Sequence, residues 1–235
     1  MILVACSVVD EAATQLAEEI RGFAAASVLT CRDLALSKCA IRCPNVTDSR
    51  LTLEGRNLAA EEILGVINLI PAVFPDELYY FPEKEREYQA AEFHALLTFF
   101  LGALPCPVVN RPTAASLAGP YAGKAAWIHV ARRLKIRVAN LHLDSACWTM
   151  TDTEKQTGEL VEATCLHGEV ISGSGSCAIA ACRLANAVGV EYLRARFSKD
   201  GVGHALIEVS TVPDIRRDAT RNGLLQLCRR WAGPQ

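Results

Sequence analysis

The chain has 235 residues, 51% of them hydrophobic, and a formal net charge of −2. That length buries a real core in one or two compact α/β lobes. The near-neutral charge argues against nucleic acid or an acidic membrane surface as partner, and no apolar run reaches the roughly 18 residues that a membrane span needs.

Ile2–Val9 is rich in β-branched residues and predicts a buried strand. It lacks a basic segment before it and meets Asp10 and Glu11 at once, so it does not read as a signal peptide. Asp10 is placed to cap a helix whose one face carries Ala13, Leu16, Ala17 and Ile20. A second strand is expected over 26–30, while 31–45 fits neither period. Residues 49–54 alternate polar and apolar up to Gly55, as a half-buried strand does, and 65–70 is a short apolar run before Pro71 that suits a central strand. The longest predicted helix runs from Phe81 to Leu104. Glu83, Glu85 and Glu87 favour its first turns, and Tyr88, Phe93, Leu96, Leu97, Phe100 and Leu104 form its core stripe. Val108–Val109 is a brief strand, Pro120–Leu134 an amphipathic helix, and Arg137–Leu143 a further strand. This alternation predicts a parallel, doubly wound sheet over 1–143.

Residues 144–158 are polar and weakly periodic and are expected to connect the lobes. From Glu159 the pattern changes. Leu160–Cys165 and Glu169–Ser172 flank His167-Gly168 as a hairpin, and Cys177–Val188 is an Ala-rich helix stopped by Gly189. Glu191–Phe197 and Val202–Ser210 pair as a second hairpin, and Thr220–Trp231 is a closing helix. A second lobe over 159–235, antiparallel sheet plus helices, follows.

Ten cysteines in a chain read as lacking a signal peptide point to a reducing cytoplasm. Cys6, Cys165, Cys182 and Cys228 lie in apolar settings and read as small core hydrophobes. Cys31, Cys39 and Cys43 lack the tight knuckle spacing of a zinc site, so no metal is expected there. The histidines are scattered without ligand spacing. The Gly-x-Gly of 172–176 lacks a third glycine and a strand–helix context, and the arginines near the C-terminal end are too poor in aromatic neighbours to argue RNA binding.

The segment Ala205–Asp214, A-L-I-E-V-S-T-V-P-D, ends a strand in Glu-Val-polar-x-x-Pro. It resembles the last metal-binding strand of ATP-grasp ligases, in which a carboxylate and an amide hold Mg·ATP. Pro107-Val-Val-Asn110, the helix after it and the isolated strand that follows resemble the pre-ATP-grasp lobe of ligases similar to the ribosomal-protein glutamate ligase. Arg86–Glu92 and Gly189–Pro213 fit the same pattern. The resemblance implies an N-terminal doubly wound pre-ATP-grasp-like lobe and a C-terminal α+β lobe resembling part of an ATP-grasp domain. Several positions depart from the family. Ser210 stands where the resemblance places an amide, Arg194 and Arg196 lie on the strand where it places an acid, and 144–158, with Lys155 its only lysine, is too short for the subdomain that covers the nucleotide.

Glu208 reads either as a solvated strand glutamate or as a remnant metal or cation ligand. Arg194 and Arg196 share a strand face and are expected to pair with Glu208 or Glu191 across the hairpin; the alternative is an anion cradle. Asn110-Arg111-Pro112 reads as a strand-to-helix turn whose backbone could alternatively hold an anion. Candidate ligand- or anion-binding residues are therefore Arg111, Lys124, Arg194, Arg196, Glu208 and Ser210. The expected function is that of an ATP-grasp-like pseudo-ligase, a binding or scaffolding partner in small-molecule, cofactor or peptide biosynthesis. It would need no cofactor and would form a homo-oligomer or hetero-complex through an exposed apolar surface. Two alternatives are an ATP- and magnesium-dependent carboxylate–amine ligase completed by a partner subunit, and a protein that binds a small carboxylate or phosphate.

Overall fold

The structure is a computed structural model that describes residues 1–114, 116–120, 123–139, 141–144, 149–152 and 159–233. It divides into two compact units, Met1–Tyr121 with Val212–Gln235, and Ala122–Thr211.

The first unit is built on four parallel strands, β1 (Ile2–Ala5), β2 (Ala26–Leu29), β5 (Gly65–Asn68) and β6 (Val108–Val109), in the order β2-β1-β5-β6. Ile2, Leu3, Val4 and Ala5 are wholly buried, which is why β1 reads as a continuous apolar run. Helix α1 (Glu11–Arg21) starts at Asp10, whose carboxylate accepts from the Ala13 amide at 3.2 Å, and it buries the predicted face Ala13, Leu16, Ala17 and Ile20. The unreadable stretch after β2 contains α2 (Cys31–Leu36), closed by a reciprocal Thr30–Asp33 capping box. Six residues are too few for a 3.6-residue period to show. β3 (Arg50–Leu53) and β4 (Arg56–Ala59) form a separate hairpin.

Helix α3 (Arg86–Ala103) begins later than expected, because the segment after Pro82 is a 3₁₀ turn over Glu83–Glu85. It buries Ala90, Phe93, Leu97, Phe100 and Leu101. Tyr88, expected in the stripe, is 64% exposed; it lies nine residues from Leu97, two and a half turns away and so on the opposite side.

Two expectations about the lobes are corrected. The closing helix α6 (Asp218–Ala232) packs in the first unit, against α1 and β5. The Trp231 ring lies where a Cβ on Gly65 would sit, Arg221 pairs with Glu19, and the Arg229 guanidinium lies 4.8 Å from the Phe23 ring centroid. Conversely, α4 (Lys124–Arg133), a bridge from Val138 and β7 (Leu141–Asp144) belong to the second unit, not to a first-lobe sheet. Trp127, Ala131 and Ile136 bury their apolar surface there, and Val138 bridges in parallel to Leu206. β7 pairs with β8 (Thr149–Asp152), so the expected connector contains a strand; Lys155 lies outside the described residues.

The second unit is an antiparallel sheet in the order β10-β9-β11-β12, made of β9 (Leu160–Leu166), β10 (Glu169–Ser172), β11 (Tyr192–Asp200) and β12 (Gly203–Ser210). Helices α4 and α5 (Gly175–Val188) are packed with it. Gly189 ends α5 at φ +70°, the left-handed cap that glycine adopts without penalty. Leu193, Ala195, Phe197, Ala163, Cys165 and Leu206 from the strands join Trp127, Ala131, Ala181 and Leu184 from the helices in one core. No helix among the described residues is long and apolar enough to cross a membrane.

Candidate functional site

Strand alternation fixes the site. On β11, Leu193, Ala195 and Phe197 face the helix-covered core, so Arg194 and Arg196 face the opposite side of the sheet. Register then sets their neighbours: Arg196 stands opposite Glu208 of β12 and Glu162 of β9, and Arg194 opposite Ser210 and Thr164. A bulge follows at once, because Phe197 pairs with Leu206 and Ile207 is the extra residue. The bulge keeps Glu208 on the arginine face while returning Leu206 to the core.

The side chains meet as the register requires. The Nη1 of Arg196 donates to Oε2 of Glu208 at 2.5 Å, its Nε lies 3.5 Å from Oε1 of Glu162, and Nη1 of Arg194 lies 3.8 Å from the same oxygen. Exposure falls from 47% at Glu208 through 31% at Arg196 to 17% at Arg194, so the network is shielded at its Arg194 end and wet at its Glu208 end. Four of the six sequence candidates, Arg194, Arg196, Glu208 and Ser210, thus share one face, and the expected Arg196–Glu208 pairing is present. Glu162 completes the network. It was not anticipated, because β9 and β11 are separated in the chain by β10 and α5 and their register is invisible in the sequence; its only signal was its place on an alternating strand.

The other two candidates lie elsewhere. Lys124 opens α4 in the helix layer on the core side of the sheet. Arg111, in the first unit, donates from Nη1 to the carbonyls of Leu101, Gly102 and Leu104 at 3.0, 2.9 and 2.8 Å, and from Nη2 to that of Cys106 at 2.6 Å. It closes the C-terminal end of α3, whose last carbonyls have no partner within the helix. Among the described residues the next helix after Pro112 is α4, from Lys124, inside the expected 120–134. Before it the chain makes a turn with a bridge between Thr113 and Ser116.

No group of three His, Cys, Asp or Glu side chains suited to a metal ion occurs among the described residues. Cys31 is buried, which pushes its thiol up to about 12, while Cys43 is exposed. On the sheet face, a magnesium ion would need several hard oxygen ligands in octahedral array. Glu162 and Glu208 could offer such oxygens, but the guanidinium of Arg196 stands between them in register and engages both. On this face, the described residues, with Arg196 engaging both carboxylates, do not fit magnesium.

In sequence the chain matches no family model and no curated protein. In structure it is similar over its whole length to several solved proteins. One is the ATP-grasp ligase PsnB complexed with a minimal precursor, Mg and ADP, at 13% identity and a TM-score of 0.72, covering 99% of this chain and 98% of that one. Another is the macrocyclase MdnC of Microcystis aeruginosa MRC bound with its precursor peptide MdnA, at 10% identity and a TM-score of 0.72, covering 97% and 98%. A RimK domain ATP-grasp protein of Sphaerobacter thermophilus DSM 20745 matches at 13% identity and a TM-score of 0.56, covering 95% and 97%.

Proposed function

From the ATP-grasp fold of this chain we infer a pseudo-ligase: a binding or scaffolding partner in a peptide-modifying biosynthetic system that does not itself transfer a phosphoryl group. The observation that carries this reading is Arg196, held between Glu162 and Glu208. Phosphoryl transfer rests on positioning and on neutralising developing charge with metal ions. A guanidinium between the two carboxylates satisfies their charge and repels a dication. Ser210, in register with Arg194, adds a hydroxyl where the resemblance expects an amide. A peptide is the favoured partner class because PsnB and MdnC were crystallised with precursor peptides.

Calorimetric titration of the whole chain with ATP, with and without Mg²⁺, tests this reading. The expected result is no saturable heat at millimolar nucleotide, a Kd near 1 mM corresponding to only about 4 kcal/mol of binding, and no release of phosphate. Magnesium-dependent ATP binding would overturn it and favour a ligase completed by a partner subunit.

A further inference from the structure

The second unit carries a cavity of about 250 Å³ on the helix-covered side of its sheet, opposite the arginine–glutamate face. Its floor is apolar: Phe197, Cys177 and Ala180 line it and are all buried. Its rim is cationic, with Lys135, Arg137 and Arg183 exposed to solvent and His204 half-buried. Ser176, in the first turn of α5, adds a hydroxyl. Among the described residues no carboxylate lines it.

The rim is held in place by backbone bonds. The Ile136 amide donates to the Ala131 carbonyl at 2.8 Å and that of Lys135 to Arg132 at 2.9 Å, closing α4. Lys135 itself sits at φ +56°, a position where glycine is the favoured residue. The Leu206 amide donates to the Arg137 carbonyl at 2.9 Å, tying that segment to β12. Arg183 is oriented by a 2.7 Å bond from Nη2 to the Leu134 carbonyl. Lys135 and Arg183 beside an apolar floor, with no carboxylate among the described lining residues, make a setting in which an oxyanion is held by charge-assisted hydrogen bonds and a short hydrocarbon or ring by burial.

We propose that this cavity binds a small ligand bearing one carboxylate or phosphate on a short apolar body, the anion at the rim and the body on Phe197. Its volume of about 250 Å³, near the lower end of the roughly 300–1,000 Å³ of drug-sized sites, suits a body the size of one ring. The assignment stands whether or not the chain turns over ATP, since it uses the other side of the sheet.

The test is calorimetry on the full chain with benzoate, phenyl phosphate and benzyl alcohol, which share the ring and differ in charge. Saturable binding of benzoate or phenyl phosphate with none of benzyl alcohol is expected, and the tighter of the two anions names the ligand's anionic group. Lys135→Gly removes a rim cation while placing glycine at a left-handed position, so the fold is kept or stabilised; affinity should fall about fivefold. Arg183→Ala combined with Lys135→Gly should lower it at least tenfold, with Lys84→Ala, at an exposed position of the first unit, as the unaffected control. Failure of both anions to saturate, binding of benzyl alcohol as tight as that of the anions, or affinity retained in Lys135→Gly and in the double variant while the thermal melt is unchanged would overturn the assignment.

Discussion

If Arg196 stands in for a cation between Glu162 and Glu208, then replacing it with a carboxylate should create a demand for one. Arg196→Asp removes both ion pairs and sets three acids in a row across β9, β11 and β12. Ion pairs of this exposure contribute about 0.2–1 kcal/mol each, so their loss costs about 1 kcal/mol. Two new like-charge neighbours some 5 Å apart add about 0.8 kcal/mol each in water. The variant should therefore lose roughly 2–3 kcal/mol, and at about 2–4 °C per kcal/mol for a chain of this size its Tm should fall by roughly 4–12 °C. Magnesium should then bind where the guanidinium was. At ten times its Kd it would restore about 1.4 kcal/mol, a rise of roughly 3–6 °C that the parent protein does not show. Thermal melts of both proteins, with and without MgCl₂ at matched ionic strength, read this directly. Equal magnesium responses in parent and variant would refute the view that Arg196 occupies a cation position.

Arg111→Ala should leave several carbonyls at the end of α3 without their charged donor and cost about 2–4 kcal/mol; hydrogen exchange should show α3 opening first, and retention of parental protection there would contradict the capping role. Gly65→Ala places a methyl 2.3 Å from Trp231 Cε3, so the indole must shift; a loss of about 1–3 kcal/mol and altered tryptophan fluorescence are expected. Burial pushes the Cys6, Cys31 and Cys228 thiols up to about 12 from an ordinary 9.0. Brief iodoacetamide treatment of the native protein at pH 8, read by mass spectrometry, should therefore modify exposed Cys43 and spare these three. Because the folded state keeps their protons where the unfolded state releases them, the stability they contribute is full below pH 9 and is lost as pH rises toward 12; denaturant titrations across that window should show stability falling.

Local signals were the legible ones. Asp10 with the face Ala13, Leu16, Ala17 and Ile20, the stop at Gly189 and the hairpin turn at His167-Gly168 all depend on residues within one or two turns of each other. The Arg196–Glu208 pair was also readable, because consecutive strands with a tight turn fix their own register. What the sequence concealed depends on distant pairing. Glu162 meets Arg196 only because β9 pairs with β11 across an intervening helix. The placement of α6 rests on Trp231 meeting Gly65, and the amphipathic pattern of α6 said only that one face would be buried, not against which sheet. Arg111 resembled a ligand-binding arginine beside a turn because its carbonyl partners belong to a different element.

The arginine network also accounts for how such a sheet can be stable with no ion bound. An acid on β11 opposite Glu208 and Glu162 would make folding of that face depend on a captured cation, since like charges in direct cross-strand register repel. With Arg196 in that position the face supplies its own counter-charge, and its stability is uncoupled from metal concentration. The bulge at Ile207 preserves this arrangement: were Ile207 paired in regular alternation, Leu206 and Glu208, two residues apart, would share a face, and either Glu208 would turn into the apolar core or Leu206 would turn out of it. Deleting Ile207 makes Leu206 and Glu208 adjacent, so plain alternation keeps Leu206 in the core and Glu208 on the Arg196 face, and the charged network should survive the deletion. The cost should be the lost burial of the Ile207 side chain, about 1.5–3 kcal/mol, well within the roughly 5–15 kcal/mol by which a native domain is stable. A deletion variant that failed to fold, or in which NMR placed Glu208 off the Arg196 face, would show that the site needs the bulge itself and would refute this account.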